Sequence, residues 1–422
     1  PVRRRLLPAL VVSALVLAPA ARGDDWPQWR GANRDAKVTG FTAPKTWPKE
    51  LTQKWKVTVG EGVATPALVG DKLFVFSRQD GKEVVRALNA ADGKELWKDE
   101  YESGGATGPA SGFSGPRASP TVAEGKVITF GVRGILNCYD AARGKRLWQK
   151  DDFKGTWPGF YVSSSPIVVD GLCIVQVGGG AKGGMAAYEL ATGNEKWKWL
   201  EGGPLYASPS LMTVDGTKVI VANTDSQIVG IGAADGKELF KTPYPPSAAK
   251  GGKGGKGGKG GMGMGYNAST PIIVGDTLIH AGMGRGTTAM KIEKSGGGLA
   301  VKEVWKNPDA SVQFNTPVVK DDLIFGLTDR NNLFCISAKD GKTSWTAPVK
   351  GERGFGSVVD AGLVLLSLTP AAQLIVYEPS DKELKELASY KVADKATHAY
   401  PVVAGNRIFI KDQDSVTLWT IE

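Results

Sequence analysis

The sequence predicts an all-β protein, an eight-bladed β-propeller whose N-terminal strand completes its last blade. Three observations carry this expectation. An eleven-residue phrase recurs as Ala87–Trp97, Cys138–Trp148, Ala187–Trp197, Gly230–Phe240 and Cys335–Trp345. Every copy places a glycine (Gly93, Gly144, Gly193, Gly236, Gly341) four residues before the closing Trp or Phe. Such a glycine supplies the positive φ of a tight turn between two strands. The closing aromatics at 97, 148, 197 and 240 lie 51, 49 and 43 residues apart, the length of a four-stranded sheet and too long for most helical repeats. Finally, the last repeat holds only three strands, and a strand-like piece near the start has no sheet of its own.

Taken in order, residues 1–23 read as a signal peptide. Arg3-Arg4-Arg5 is a basic start, and Leu6 to Leu17 is an apolar run too short to span a bilayer. Cleavage would follow Ala20 or Gly23. The protein is therefore expected to be exported, periplasmic or secreted, and no cysteine follows the run to carry a lipid anchor. Residues 24–50, with Trp26, Trp29, Arg30 and Arg34, lack strand alternation and are expected to form a strap whose tryptophans cover the outside of the ring. Leu51–Val57 is the lone strand. From there the propeller occupies 51–422. Each repeat opens on a small residue, Pro and an apolar pair, at Pro66, Pro120, Pro166, Pro209, Pro271, Pro317 and Pro401, with Val358-Val359 standing in for one more.

Eight openings give 46.5 residues per blade. Two repeats are worn: Lys294–Gly298 replaces the turn of the fifth, and the seventh carries Tyr377–Asp381 and ends near Tyr390. Seven blades is the alternative count. Closure through Leu51–Val57 removes the sheet edges that an open array would expose. Val/Ile-rich runs between Gly turns favour strands, and no long segment has helical periodicity. The stretch 245–265 is dominated by glycine with Lys250, Lys253, Lys256 and Lys259 interspersed. Glycine at that density predicts a disordered loop, with peripheral contact to a membrane or polysaccharide through its lysines as the functional alternative.

The formal charge is +9, but four arginines in 1–23 and those four lysines account for eight of it. A nearly neutral body gives no footprint for nucleic acid. Cys138, Cys173 and Cys335 sit apart in apolar strands and read as packing residues, not ligands or a disulfide framework.

The Gly-Lys-x-x-Trp ending resembles the tryptophan-docking motif of the pyrroloquinoline quinone (PQQ) propeller superfamily, over about residues 51–422. The resemblance implies that Trp55, Trp97, Trp148, Trp197, Trp305 and Trp345, with Phe240 as a weaker substitute, tie each blade to its neighbour. A flat ring over a glycine peptide buries much apolar surface at low entropic cost. The superfamily includes quinoprotein dehydrogenases and the BamB-type outer-membrane assembly factor. The opening Asp25–Gly31 looks most like exported PQQ-like repeat proteins of environmental bacteria.

A quinoprotein dehydrogenase would hold PQQ in the central funnel, with Ca²⁺ on several oxygen ligands and a carboxylate base. The alcohol dehydrogenases of the family also carry two adjacent bridged cysteines. This sequence has no Cys-Cys pair, no Cys-x-x-Cys-His haem site and no long inserts. The resemblance therefore implies fold more than activity. No catalytic residue, no metal and no cofactor are expected; PQQ with Ca²⁺ belongs to the dehydrogenase alternative. Of the two histidines, His280 follows an apolar pair in a strand and reads as packing.

What remains is a non-catalytic binding or assembly scaffold, expected to be monomeric, with a BamB-type assembly factor and a PQQ/Ca-dependent alcohol or sugar dehydrogenase as alternatives. Its ligand would meet the channel mouth, where loops enter the innermost strands. The residue two before each opening proline is small or short, as in Ala64, Ala118, Ser164, Ala207, Ser269, Asn315 and Ala399. Around these and on nearby turns stand Arg117, Arg133, Tyr206, Asn267, Arg285, Asp329, Arg330 and His398. With Asn315 they form the candidate set, suited to a protein segment or to a small anionic or saccharide ligand.

Overall fold

The computed structural model describes residues 25–244, 268–296, 298–351 and 354–422. The expectations for 1–23, for the Gly/Lys loop within 245–265 and for Asn267 lie outside the described residues. The described residues form eight four-stranded antiparallel sheets. Numbered by their inner strands, the blades begin at Ala67–Val69, Thr121–Ala123, Ile167–Val169, Ser210–Val214, Ile272–Val274, Val318–Lys320, Ser357–Asp360 and Val402–Ala404. Blades 1 to 7 each use four consecutive strands. In blade 8 the outermost strand is Thr52–Thr58, paired with Ser415–Thr420. The register sets Gln53 against Trp419 and Trp55 against Leu418, so the start of the chain closes the ring.

Both worn repeats are complete blades. Blade 5 ends in a long hairpin of Gly286–Ser295 and Gly298–Asn307, and blade 7 ends in Gln373–Tyr377 and Glu386–Lys391. Helix among the described residues is confined to two short 3-10 segments, Gly108–Phe113 and Gly180–Lys182. No helix among them is long and apolar enough to cross a membrane. The middle strands are continuous apolar runs because blades pack face to face and bury both surfaces; Lys72–Gln79 has five consecutive buried residues. The outer strands alternate, as in Glu195–Trp199, because one face meets solvent.

The recurring phrase makes the seams between blades. Trp55, Trp97, Trp148, Trp197 and Trp305 lie against Gly93, Gly144, Gly193, Gly236 and Gly341 of the next blade. In each pair a β-carbon on the glycine would come within 2.9 Å of the indole or closer. Each glycine holds φ of +71° to +73°, so a side chain there would be strained as well as obstructed. Each indole N–H donates to a carbonyl three residues before that glycine, at 2.8–3.3 Å. Trp345 donates to Ser380 O at 2.8 Å in the altered turn of blade 7. Phe240 has no N–H to give; at that seam the Tyr244 hydroxyl donates to Ala281 O at 2.9 Å.

The segment before the first strand departs from expectation: residues 25–38 fill the axis of the ring and do not cover its outside. Trp26 bridges Leu68 of blade 1, the Pro27 carbonyl accepts from Val122 N of blade 2, and Ala36 and Val38 bond Asp360 of blade 7. Between these anchors the chain doubles back, with Arg30, Gly31, Arg34 and Ala36 at positive φ and Trp29–Arg30 at the tip. Arg30, with no exposed surface, donates to Thr316 O at 2.9 Å and Pro317 O at 2.8 Å. Arg34 donates to Pro209 O at 2.7 Å and to Pro166 O. Trp29 Nε1 donates to Thr270 Oγ1 at 2.9 Å.

The opening prolines explain why two cations fit there. Proline at the start of an inner strand leaves no N–H unpaired, yet its carbonyl still needs a donor. A guanidinium brings five donors and can serve several carbonyls at once. Burial draws the Arg34 guanidinium down to about 9; the acceptors around it nonetheless call for its protonated form.

Candidate ligand site at the channel mouth

Beyond the Trp29–Arg30 tip the axis opens into a cavity of about 330 Å³. Each of the eight blade-to-blade crossings contributes a lining residue: Val63, Arg117, Ser163, Tyr206, Ala268, Phe314, Phe355 and His398. Seven of these stand three residues before an opening proline, and Phe355 leads into the proline-less strand of blade 7. Of the two positions that follow, Ser208 alone is also in the lining. Ala64, Ala118 and Ala207 are buried between crossings. The next residue along is often a hydroxyl that accepts from the neighbouring crossing: Ser119 N to Ser165 Oγ, Ser165 N to Ser208 Oγ, Thr270 N to Thr316 Oγ1 and Tyr400 N to Thr65 Oγ1, each 2.9 Å. This belt fixes the crossings, so the third residue before each opening proline is turned into the cavity.

The walls are aromatic. Phe314 stacks on Phe355 with ring centroids 4.3 Å apart. His398 stands edge-on to Phe355 at 4.7 Å and to Phe113 at 4.9 Å. Across the mouth Phe160 meets Tyr206 edge-on at 6.1 Å, and the Tyr206 hydroxyl accepts from Phe160 N at 3.1 Å. Burial raises the Tyr206 pKa, keeping the hydroxyl neutral. Phe113 arrives on the 3-10 segment Gly108–Phe113, and Trp29 supplies the floor. Arg117 donates to Phe160 O at 3.0 Å, Phe113 O at 2.8 Å and Ala110 O at 3.3 Å, holding both inserted loops in place. Burial lowers its pKa, with Tyr206 and Tyr161 acting in the other direction.

Of the nine residues chosen from sequence, Arg117, Tyr206 and His398 line this cavity. Arg133 donates to Gly105 O at 3.2 Å and lies over Trp157. Arg285 lies over the Tyr244 ring at 3.9 Å. Asn315 is buried and donates to Leu327 O at 3.0 Å. Asp329, its pKa raised by burial, and Arg330 sit on the turn after Leu323–Leu327, away from the lining. Val63, Ser163, Ala268 and Phe355, together with Trp29, Phe113 and Phe160, were not in that set. Counting back three from each proline finds most of the crossing residues; choosing by charge does not.

The remaining sequence candidates for chemistry are packing groups. His280 is buried edge-on to Tyr244, and burial pulls it down to about 3. The three cysteines are buried and unpaired with one another; burial pushes Cys138 and Cys335 up to about 12 and Cys173 higher still. The residues also do not fit PQQ with Ca²⁺. Among the described residues no Asp or Glu lines the cavity and no group of three His, Cys, Asp or Glu could hold a metal, and the axis is filled by Arg30 and Arg34.

The chain matches the family model described as outer membrane protein assembly factor BamB, over residues 41–180 and 81–347. It belongs to that family. Among relatives of this BamB-family propeller, BamB of Burkholderia pseudomallei is 24% identical over 372 residues, 86% of each chain. The quinohemoprotein alcohol dehydrogenase of Comamonas testosteroni is 27% identical over 191 residues, 44% of this chain but only 27% of the relative. The chain thus spans about a quarter of the curated dehydrogenase it matches. The crystal structure of the Comamonas enzyme superposes with a TM-score of 0.68 at 15% identity, covering 96% of this chain and 81% of that one. At that identity the likeness is one of fold.

Proposed function

We propose that this BamB-family propeller is an exported, non-catalytic binding scaffold whose ligand site is the cavity at the channel mouth. The observation that carries the reading is a filled axis beneath an open mouth. Arg30 and Arg34 occupy the channel centre, and the lining of the mouth is six aromatics and four small aliphatic residues with one guanidinium, one imidazole and two serines. Rigid aromatic walls with a few polar anchors suit recognition. The quinoprotein reaction would want a carboxylate base beside its cofactor, and the described residues of this lining include none.

Export is supported by the basic and apolar opening of the sequence and by the outer-membrane name of the BamB relatives. The length of the BamB match favours an assembly partner over a dehydrogenase role. The test compares the full chain with Ser163→Trp, which fills the mouth. Both are immobilised, exposed to envelope extract and washed, and the retained material is identified by mass spectrometry. Material held by the unaltered chain and lost by the variant supports a scaffold acting through this cavity; equal retention overturns it. Alcohol-dependent dye reduction after loading with PQQ and Ca²⁺, above a protein-free control, would move the protein to the dehydrogenase class.

A further inference from the structure

We infer that the channel-mouth cavity takes a small aromatic carboxylate, its ring between the Phe314–Phe355 and Phe160–Tyr206 pairs and its carboxylate on Arg117. The inference rests on the reading of that cavity as the ligand site, and adds the chemistry of what fills it.

Three features of the lining lead there. The walls present ring faces and edges on opposite sides, Phe314 stacked on Phe355 and Phe160 edge-on to Tyr206, an arrangement that receives a further ring by offset or edge contact. The volume of about 330 Å³ lies at the small end of ligand pockets, enough for one ring system and a short arm.

The charge is one-sided. Arg117 is half-buried, and three of its five N–H donors engage the carbonyls of Phe160, Phe113 and Ala110. Those carbonyls satisfy hydrogen bonds but leave a full positive charge, and among the described residues no carboxylate lines the cavity to balance it. A cation withdrawn from water without a counter-charge is costly, so an acid is the complement the site lacks. The same lining argues against a saccharide, which would want several acceptors around its hydroxyls, and against a cationic ligand.

An aromatic acid of this size could be a free metabolite or the C-terminal residue of a polypeptide. The experiment titrates the full-length chain calorimetrically with 3-phenylpropionate, the uncharged 3-phenylpropan-1-ol and N-acetyl-phenylalanine. The acid should bind saturably and at least about tenfold more tightly than the alcohol, the worth of one charge-assisted hydrogen-bonded pair. Tighter binding of N-acetyl-phenylalanine than of 3-phenylpropionate assigns the site to a chain end; the reverse order assigns it to a free acid.

Ser163→Trp, which fills the cavity from a crossing without disturbing Arg117, should abolish binding of every probe. Arg117→Lys should keep part of the preference for acid over alcohol, whereas Arg117→Gln should lose it. Because Arg117 also holds the loops of Phe113 and Phe160, the acid-to-alcohol ratio in the unaltered chain is the deciding readout. Equal affinities for acid and alcohol, or no binding of either, overturn the inference. If neither binds and Ser163→Trp still strips retained material from the chain, the acid assignment falls while the scaffold reading stands.

Discussion

The Trp55 indole lies across Gly93 and donates to Ala90 O at 3.3 Å, joining the first strand of the chain, which belongs to blade 8, to the turn of blade 1. This contact joins the strand pairing of Thr52–Thr58 with Ser415–Thr420 and the Tyr400 N to Thr65 Oγ1 bond in closing the ring. Trp55→Ala removes a buried aromatic and opens a void at the closure, so it should cost about 3–5 kcal/mol in denaturant unfolding. Trp55→Phe keeps most of the packing and loses the N–H bond, for about 1 kcal/mol. Gly93→Ala places a β-carbon against the ring at a φ of +73° and should cost more than about 1 kcal/mol.

The seam between blades 4 and 5 is held differently, and Tyr244 is its measure. Phe240 has no donor, and the Tyr244 hydroxyl bond to Ala281 O is the cross-seam substitute. Tyr244→Phe should cost about 1 kcal/mol overall. Hydrogen exchange should show the change as faster opening of Glu238–Pro243 and Thr277–Gly282, with the Trp-sealed blades unaffected. Uniform acceleration around the ring would contradict a local seam.

These two seams show which parts of the fold were legible. Gly93 and Trp97 stand four apart in a local phrase, and a local phrase repeated at blade spacing determines the architecture without any knowledge of contacts. Tyr244 stands outside the phrase, so nothing local marks it as a seam residue, although its bond crosses to the next blade as the tryptophan bonds do. The axial plug was hidden for the same reason in stronger form. Arg30 and Arg34 reach carbonyls 286 and 175 residues distant, and an irregular segment rich in Trp and Arg reads as surface when its acceptors are unseen. In the cavity, position in the repeat points to Arg117, Tyr206 and His398, whereas Arg285, Asp329 and Arg330 stand out only as polar turn residues. Register beside the opening proline, and not residue type, decides which side chains face the axis.

Arg34 gives the plug a direct test. Its guanidinium bridges Pro166 O of blade 3 and Pro209 O of blade 4. Arg34→Met should strand both carbonyls at the centre of the ring and destabilise the chain by about 3–5 kcal/mol. Arg34→Lys should recover little, since an ammonium on a flexible stem cannot reproduce a planar fork that reaches two blades. Thermal unfolding followed by near-ultraviolet circular dichroism checks both. A variant as stable as the parent would mean that the plug adds nothing to ring closure.

Glu83 supplies a pH dependence whose direction follows from its surroundings. The carboxyl has no exposed surface; one oxygen accepts from the Tyr101 hydroxyl at 2.6 Å and the other from Val132 N at 2.7 Å, linking blades 1 and 2. Burial raises its pKa above the ordinary value near 4.5, and the hydrogen bonds to Tyr101 and Val132 offset this only in part. The folded chain therefore keeps its proton to higher pH than the unfolded chain does. The associated stability is full below about 4.5 and is lost as pH rises through the folded-state value. Glu83→Gln retains an acceptor for Val132 and a partner for Tyr101 but cannot titrate. Urea midpoints at about pH 4, 6 and 8 should therefore show the parent losing stability relative to the variant as pH rises. A difference that stays flat, or that moves in the parent's favour, would show that the buried carboxyl folds already ionised.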